Sequence, residues 1–484
     1  MSLSASLNNA LSGLTATSRR AEVVSTNVAN ALTEGYARRE VQVAARSLGG
    51  IGAGVQVVGV TRQVNTGILG DRRLADAEAG NTGARADFLS RIETQIGTPG
   101  DGRSLSDRIA TFETALISAT SRPDSQARLQ TVLDTADALA SHLGTLSDEV
   151  QIARAEADNS IASQVAELNN VLAGIDKLNA AILAERSSGR DANALMDQRQ
   201  RLVDRVAEIV PVREIARDHD QIALFTTGGA VLLDGLPATV GFSPVGVVTA
   251  DMTLASGDLS GLTINGMAVP SGDDGVLGGG TLGAMFAIRD DLAPAAQEGF
   301  DALARDLMAR FSDPAVDPTL PPGAPGLFTD RGGAFDPLAE AGLAGRLTIN
   351  AAADPAQGGQ LWRLRDGLGA ATQGNVGDTT LLTAMTDAMQ AARVPASGPF
   401  IGAARSASGL AADVLSNISG QRQQADLRQS YATTRQAAMT ELQLADGVDT
   451  DAEMQDLLLI EQAYAANARV IQTVDSLIQT LIGL

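Results

Sequence analysis

Cysteine is missing from this 484-residue chain, which excludes disulfides, iron–sulfur clusters and thiolate zinc sites. Aromatic residues are only 3% of the sequence, so its cores must be built from Ala, Leu, Val and Ile. That composition suits helix-on-helix packing better than a large aromatic-lined pocket. Lysine occurs once, at Lys177, and every other basic side chain is arginine. The two histidines, His142 and His219, have no second ligand at metal-binding spacing. No apolar run reaches the roughly 18 residues that cross a bilayer. The first thirty residues lack the basic start and continuous apolar block of a signal peptide. A net charge of −21 disfavours nucleic acid and anionic membranes as partners. Taken alone, these absences describe a cytoplasmic protein.

Chemistry is equally sparse. Gly278-Gly-Gly-Thr281 precedes a helix but has no lysine to hold a phosphate, so it reads as a tight turn. Asp218-His219-Asp220 reads as a solvated turn, and no Gly-x-Ser-x-Gly elbow is present. Trp362, the only tryptophan, reads as a packing anchor. The expectation is a protein without catalytic residues, cofactor or metal.

What the chain does have is two long seams. In the last stretch, Asp451–Leu484, the residues Leu457, Ile460, Tyr464, Asn467, Ile471, Val474, Ile478 and Leu481 step by alternating threes and fours. A second apolar row, Ala463, Val470, Leu477 and Leu484, runs beside the first, making the stripe too wide for one partner helix. Residues 2–32 repeat the spacing with Leu3, Leu7, Ala10, Leu14, Thr17, Ala21, Val24, Val28 and Ala31. Small residues in this seam allow close approach by a bulkier helix. Two arrangements are open: the ends pair with each other, or each joins a separate bundle.

Between the seams, Ala37–Val43 and Val55–Val60 read as strands around glycines 49, 50, 52 and 54. Helical spacing covers about 66–95 and continues after Ser104, a predicted cap. The longest helical region opens at Pro123-Asp124 and shifts register at Ala157–Ile161. It breaks at Ser187–Asp191, and Ala194–Val210 resumes the pattern. After Pro211 short β-type runs appear, including Ile222–Thr226, Val231–Leu233 and Gly246–Leu254. Helices return from Thr281 to Phe311, near 361–367 and 379–392, and over 401–445. Asp449 or Thr450 caps the last one. The predicted fold is mainly α with a β insert, an α+β multidomain chain that is discontinuous. Residues 1–45 with 447–484 form a terminal coiled coil. Residues 46–211 with 283–446 form a helical-bundle body containing an irregular segment at 312–360, and 212–282 form a small β-rich inserted domain.

Ser25–Val41, STNVANALTEGYARREV, resembles the N-terminal signature of bacterial flagellar axial proteins at Asn27, Ala29, Asn30, Thr33, Gly35 and Tyr36. The C-terminal QAYAANARVIQTVDSLIQTLI, from Gln462, resembles the other half of that signature. Rod, hook and junction proteins share both halves. The middle is more specific: NALMDQRQRL, with Asp197, Gln198 and Arg199, resembles the Asp-Gln-Arg segment of the hook-associated protein 1 family. GGTLGAMFAIRDDL (279–292) and LFTDRGGAF (327–335) are similar to the same family. Leu32 and Glu34 depart from the usual signature, and the short insert leaves the size of an outward-facing domain open.

The resemblance implies a structural protein in a ring between hook and filament, exported through the flagellar type III channel without a cleaved signal peptide. Its implied partners are copies of itself, the hook protein, a second hook-associated protein on the filament side, and a cytoplasmic export chaperone at the C-terminal helix. It implies neither nucleic acid nor membrane. The assembly interface would fall on the terminal seams, at Leu3, Leu7, Leu14, Val24 and Val28 and at Leu457, Ile460, Tyr464, Asn467, Ile471, Val474, Ile478 and Leu481. A hook or distal-rod protein is the nearest alternative, and a cytoplasmic coiled-coil scaffold lies outside the family.

Overall fold

The computed structural model describes residues 3–48 and 51–483. Helix α1 (Leu3–Ala29) leads through a turn to an antiparallel hairpin, β1 (Arg39–Leu48) and β2 (Ile51–Arg62). The strands are longer than their β-branched centres, because cross-strand pairing carries past them to Arg39–Arg62 at one end and Ser47–Gly52 at the other, with two irregularities of register. The turn expected at Gly49 and Gly50 lies outside the described residues. Helix α2 (Thr66–Ile96) follows, capped by Asn65, whose Oδ1 accepts from the amides of Gly67 and Ile68. Helix α3 (Leu105–Ser121) is capped by Ser104, which accepts from the Asp107 amide.

Helix α4 (Gln126–Ser187) runs for 62 residues, roughly 90 Å at 1.5 Å per residue, and turns back into α5 (Asn193–Ile209). A four-stranded antiparallel sheet comes next, ordered β3 (Val212–Ala216), β4 (Ile222–Thr226), β5 (Val231–Asp234) and β6 (Leu236–Pro237). Three further short strands pair antiparallel: β7 (Val240–Gly241), β8 (Leu262–Ile264) and β9 (Met267–Val269). Helix α6 (Gly280–Ala287) passes through a π-turn at Ile288–Leu292 into α7 (Ala293–Phe311). A two-stranded pair, β10 (Phe328–Asp330) and β11 (Leu347–Ile349), lies within the irregular segment. Helices α8 (Arg363–Asp366), α9 (Thr380–Gln390), α10 (Ala407–Ala445) and α11 (Thr450–Ile482) complete the chain. Asp449 caps α11, accepting from Asp451 and Ala452.

Two large cores meet along α4. The first takes Leu129 to Ala157 of α4 together with α2, α3, α7, α9 and α10, and contains a cluster of Phe112, Phe311 and Phe328 with ring centroids 5.3–5.9 Å apart. The second begins at Ile161 of α4 and takes in α5, α6 and the strands β3–β5 and β7–β9. The register shift in the sequence therefore marks the exchange of one core for the other. Between them Asp158 and Arg289, both fully buried, form an ion pair at 2.7 Å. Arg289 also bonds Asp290 and the Ser260 carbonyl, and lies over the rings of Phe286 and Phe242.

Three expectations change here. The strands of 212–282 have no core of their own: Leu224, Leu233 and Leu262 pack into the second core beside Leu168 and Leu172 of α4. Residues 246–254 form turns rather than a strand. Their backbone is claimed by buried side chains of α4 instead of a ladder. Arg154 donates to the carbonyls of Thr249 (2.9 Å) and Met252 (2.6 Å), and Asp158 accepts from the Val245 amide (2.7 Å). Trp362 is half-buried, with the Arg363 guanidinium 5.0 Å from its ring centroid. It is not a core anchor.

Candidate assembly site

The two ends of the chain come together. Gly13 of α1 faces Asn467 of α11, and Asn27 faces Glu453, so fourteen residues forward along α1 match fourteen backward along α11. The helices are antiparallel. On α1 the stripe facing α11 is small where approach is closest, with Ala10, Thr17 and Val24 buried and Leu3, Leu7, Leu14 and Val28 half-buried. A second stripe, Asn9, Ser12, Ala16 and Val23, lies roughly 100–130° around the helix and takes the hairpin. Ser12 Oγ accepts from the Val55 amide at 3.2 Å, beside Gly54 at φ +92°. A Cβ on Gly54 would fall on Ser12, so a side chain there would push the hairpin off the helix.

On α11, Ile460 and Val474 are buried and Leu457, Asn467, Ile471 and Ile478 are half-buried. Tyr464 and Leu481 remain 47% and 61% exposed. Tyr464 sits at the edge of the stripe, and Leu481 extends past the described part of α1. In the adjacent row Ala463, Val470 and Leu477 are exposed, as are Leu458, Leu459 and Ile482; Leu484 lies outside the described residues. An apolar face of this extent on one helix has no partner among the described residues.

Where α1 ends, the signature residues form a polar hub. Asn27, 1% exposed, satisfies its whole side-chain amide. Its Nδ2 donates to the Arg39 carbonyl (2.9 Å) and to Glu453 Oε2 (3.1 Å), while Oδ1 accepts from the Tyr36 hydroxyl (2.8 Å) and the Arg39 amide (3.0 Å). A buried amide with every bond made is a specific device, since each missing bond would cost about 1–3 kcal/mol. Glu453, equally buried, also accepts from Arg38 Nε at 2.6 Å, and that bond raises the Arg38 pKa. Burial raises the Tyr36 pKa, keeping the hydroxyl a donor. The Arg39 guanidinium lies 4.9 Å from the Tyr36 ring centroid.

From the hub the network reaches α5. Asp197 accepts from Arg39 and Arg62, each at 2.8 Å, and Arg62 also donates to Gln200. Arg199 turns the other way, to Asn179 of α4 and the Asp220 carbonyl. Gln198 is exposed. Gly35 holds φ +74° with Arg201 packed against it, so a Cβ would meet the Arg201 Cγ at 2.5 Å. Asn30 and Thr33 bond each other in the turn, and Ala29 is exposed. The structure thus brings Asn27, Tyr36 and Asp197 into one network and leaves Ala29, Thr33 and Gln198 at the surface. Sequence reasoning missed Glu453, Arg39 and Arg62. An acid in the first turn of a helix reads as a complement to the helix dipole, and only its burial shows otherwise.

Among the described residues no group of three His, Cys, Asp or Glu side chains converges as metal ligands, and no helix is long and apolar enough to cross a membrane.

Residues 89–314 match the family described as the flagellar hook-associated protein FlgK helical domain. Residues 445–484 match the flagellar basal body rod FlgEFG protein C-terminal family, and 7–36 match the flagella basal body rod protein family. Flagellar hook-associated protein 1 of Salmonella typhimurium is 28% identical over 243 residues, covering 49% of this chain and 44% of the relative. The Bacillus subtilis protein of the same name is 24% identical over 240 residues, 47% of each chain. The chain thus aligns with about half the length of these curated relatives. A solved structure, that of the flagellar hook junction protein FlgK from Burkholderia pseudomallei, is similar at 22% identity with a TM-score of 0.44, covering 54% of this chain and 46% of that one.

Proposed function

We propose that the chain is a member of the flagellar hook-associated protein 1 family, a structural protein of the bacterial flagellum forming the junction between hook and filament. The observation that carries this reading is the match of residues 89–314 to that family's helical domain, since the two end segments match rod-type families as well. The protein leaves the cell through the flagellar type III channel. Residues 1–45 and 447–484 wind as a coiled coil and build an inner tube. The body, 46–211 with 283–446, forms the next shell, and 212–282 faces outward. The seam residues from Leu3 to Val28 and from Leu457 to Leu481 carry assembly, with the exposed row at Val470 and Leu477 meeting neighbouring copies in a ring. The hook protein, a second hook-associated protein and an export chaperone at the C-terminal helix are the other partners. The role is architectural, with no catalytic residue assigned.

The end matches favour one further reading, a hook or distal-rod protein. Deleting the gene separates the two. Loss of a junction protein leaves complete hooks and filament subunits shed into the medium; loss of a hook or rod protein leaves no hook. Unchanged flagella in the deletion strain would contradict both and favour a cytoplasmic scaffold.

A further inference from the structure

Two helices with a heptad pattern can pair in several registers, because a shift of seven residues returns an apolar side chain to each seam position. Side-chain shape discriminates weakly here, since Ala10, Gly13, Thr17 and Ala21 make up the middle of the α1 stripe. Discrimination must come from polar groups that have a partner in one register only. Glu453 is the only charged side chain of α11 that is buried among the described residues. Its two oxygens are divided between Asn27 Nδ2 and Arg38 Nε, one on α1 and one on the segment leading into the hairpin. A shift of seven residues would bring Ile460 opposite Asn27 in one direction and the α10–α11 turn in the other. Either would strand the buried amide and leave Arg38 without its buried partner.

We propose that Glu453 is the positioning residue that fixes the register of α11 on α1. Through Asn27 Oδ1, which holds the Arg39 amide, and through Arg39 and Asp197, the same register is tied to α5 and so to the body. The exposed row at Val470 and Leu477 is then presented at one fixed height relative to the body. This deepens the assembly reading above and takes its functional meaning from it. The test needs no flagellum, so the two can fail separately.

Because the chain has no cysteine, introduced pairs report register directly. In the full chain, Gly13→Cys with Asn467→Cys reports the observed register. Gly13→Cys with Ile460→Cys, or with Val474→Cys, reports a slip of one heptad; in the observed register those positions are about 10 Å too far along the axis to bridge. The expected result is at least a tenfold excess of the 13–467 disulfide over either slipped pair under mild oxidation. Glu453→Ala should reduce that excess several-fold by raising the slipped disulfides. Glu453→Gln, which still accepts from Asn27 but no longer pairs with Arg38, should fall between. Hydrogen exchange in α4 should be unchanged in each variant, separating register from general unfolding. An unchanged ratio in Glu453→Ala overturns the proposal. So does a uniform loss of all three disulfides, which would mean that the residue holds the helices together without choosing their register. Failure of every pair to oxidise in the otherwise natural chain overturns it too.

Discussion

Gly13 and Asn467 approach so closely across the inner helix pair that a methyl group on Gly13 would lie 2.8 Å from both terminal atoms of the Asn467 amide. Glycine inside a helix costs about 0.5–1 kcal/mol relative to alanine, so its place here reflects the approach. Asn467 also donates to the Ala463 carbonyl at 3.0 Å, which fixes where its amide sits. Gly13→Ala should be close to neutral, because the helical gain offsets displacement of a flexible side-chain end. Gly13→Leu should destabilise the α1–α11 pair by about 2–3 kcal/mol through overpacking, and Asn467→Ala should recover part of that. Hydrogen exchange of the two helices in a double-mutant cycle measures it; additive effects would mean the residues do not touch.

The buried charges between the two cores make a second prediction. Arg289→Met strips Asp158 of its partner in a site where both side chains are fully buried, and should cost about 3–5 kcal/mol. Replacing both, with Asp158→Leu and Arg289→Met, should cost far less, since the fully buried carboxylate goes with its partner and Asp290, the other acceptor of Arg289, is partly open to water. Urea unfolding of the natural chain and the two variants gives the comparison. The singly substituted chain should also be cut faster within 245–260, because Arg289 holds the Ser260 carbonyl and Asp158 the Val245 amide.

Much of this architecture can be read from local pattern, and the failures share one cause. Ser104 and Asp449 mark helix starts because a cap acts within three residues. The α1 and α11 seams are visible because apolar spacing is itself local. Their antiparallel direction, and the exposure of Tyr464 and Leu481, depend on where the opposite helix begins and how wide its small face is. Residues 246–254 have the composition of a strand and become turns because Arg154, about a hundred positions earlier, takes their carbonyls. At the hub, Asn27 and Asp197 stand out in the sequence only through resemblance. Glu453 joins them through a bond spanning 426 positions, which no spacing rule could supply.

Asp301 supplies a pH dependence whose sign can be stated. It is 4% exposed and accepts from the amides of Gly342 and Ala344 and from Gln297, each at 2.8 Å. Desolvation outweighs those bonds and raises its pKa from 3.8 to about 6. The folded protein therefore holds a proton that the unfolded chain releases. The group's contribution to stability is fully present below about pH 4 and is lost as pH rises through about 6. That gap corresponds to ~3 kcal/mol. Asp301→Asn removes it: the stability of the natural chain relative to the variant should fall by about that amount between pH 4 and pH 7. A difference that stays flat or rises across this range would show that the three hydrogen bonds outweigh burial.

Val474 and Leu477 are three residues apart on α11 and should fail for different reasons. Val474 is buried against α1, whereas Leu477 is 48% exposed in the neighbouring row. Val474→Asp places a carboxylate in that buried stripe, at a cost of several kcal/mol, and should unpair α1 from α11 while the body, held by separate cores, stays folded. Ile471→Asp, half-buried on the same stripe, should do the same to a lesser degree. Leu477→Asp should leave the isolated chain unchanged in hydrogen exchange, because the side chain has little to lose there. If that row meets neighbouring copies, Leu477→Asp should still release filaments into the medium as completely as Val474→Asp. Normal filaments on Leu477→Asp cells would remove this row from the interface, and normal filaments on Val474→Asp cells would remove the helix pair itself from the assembly.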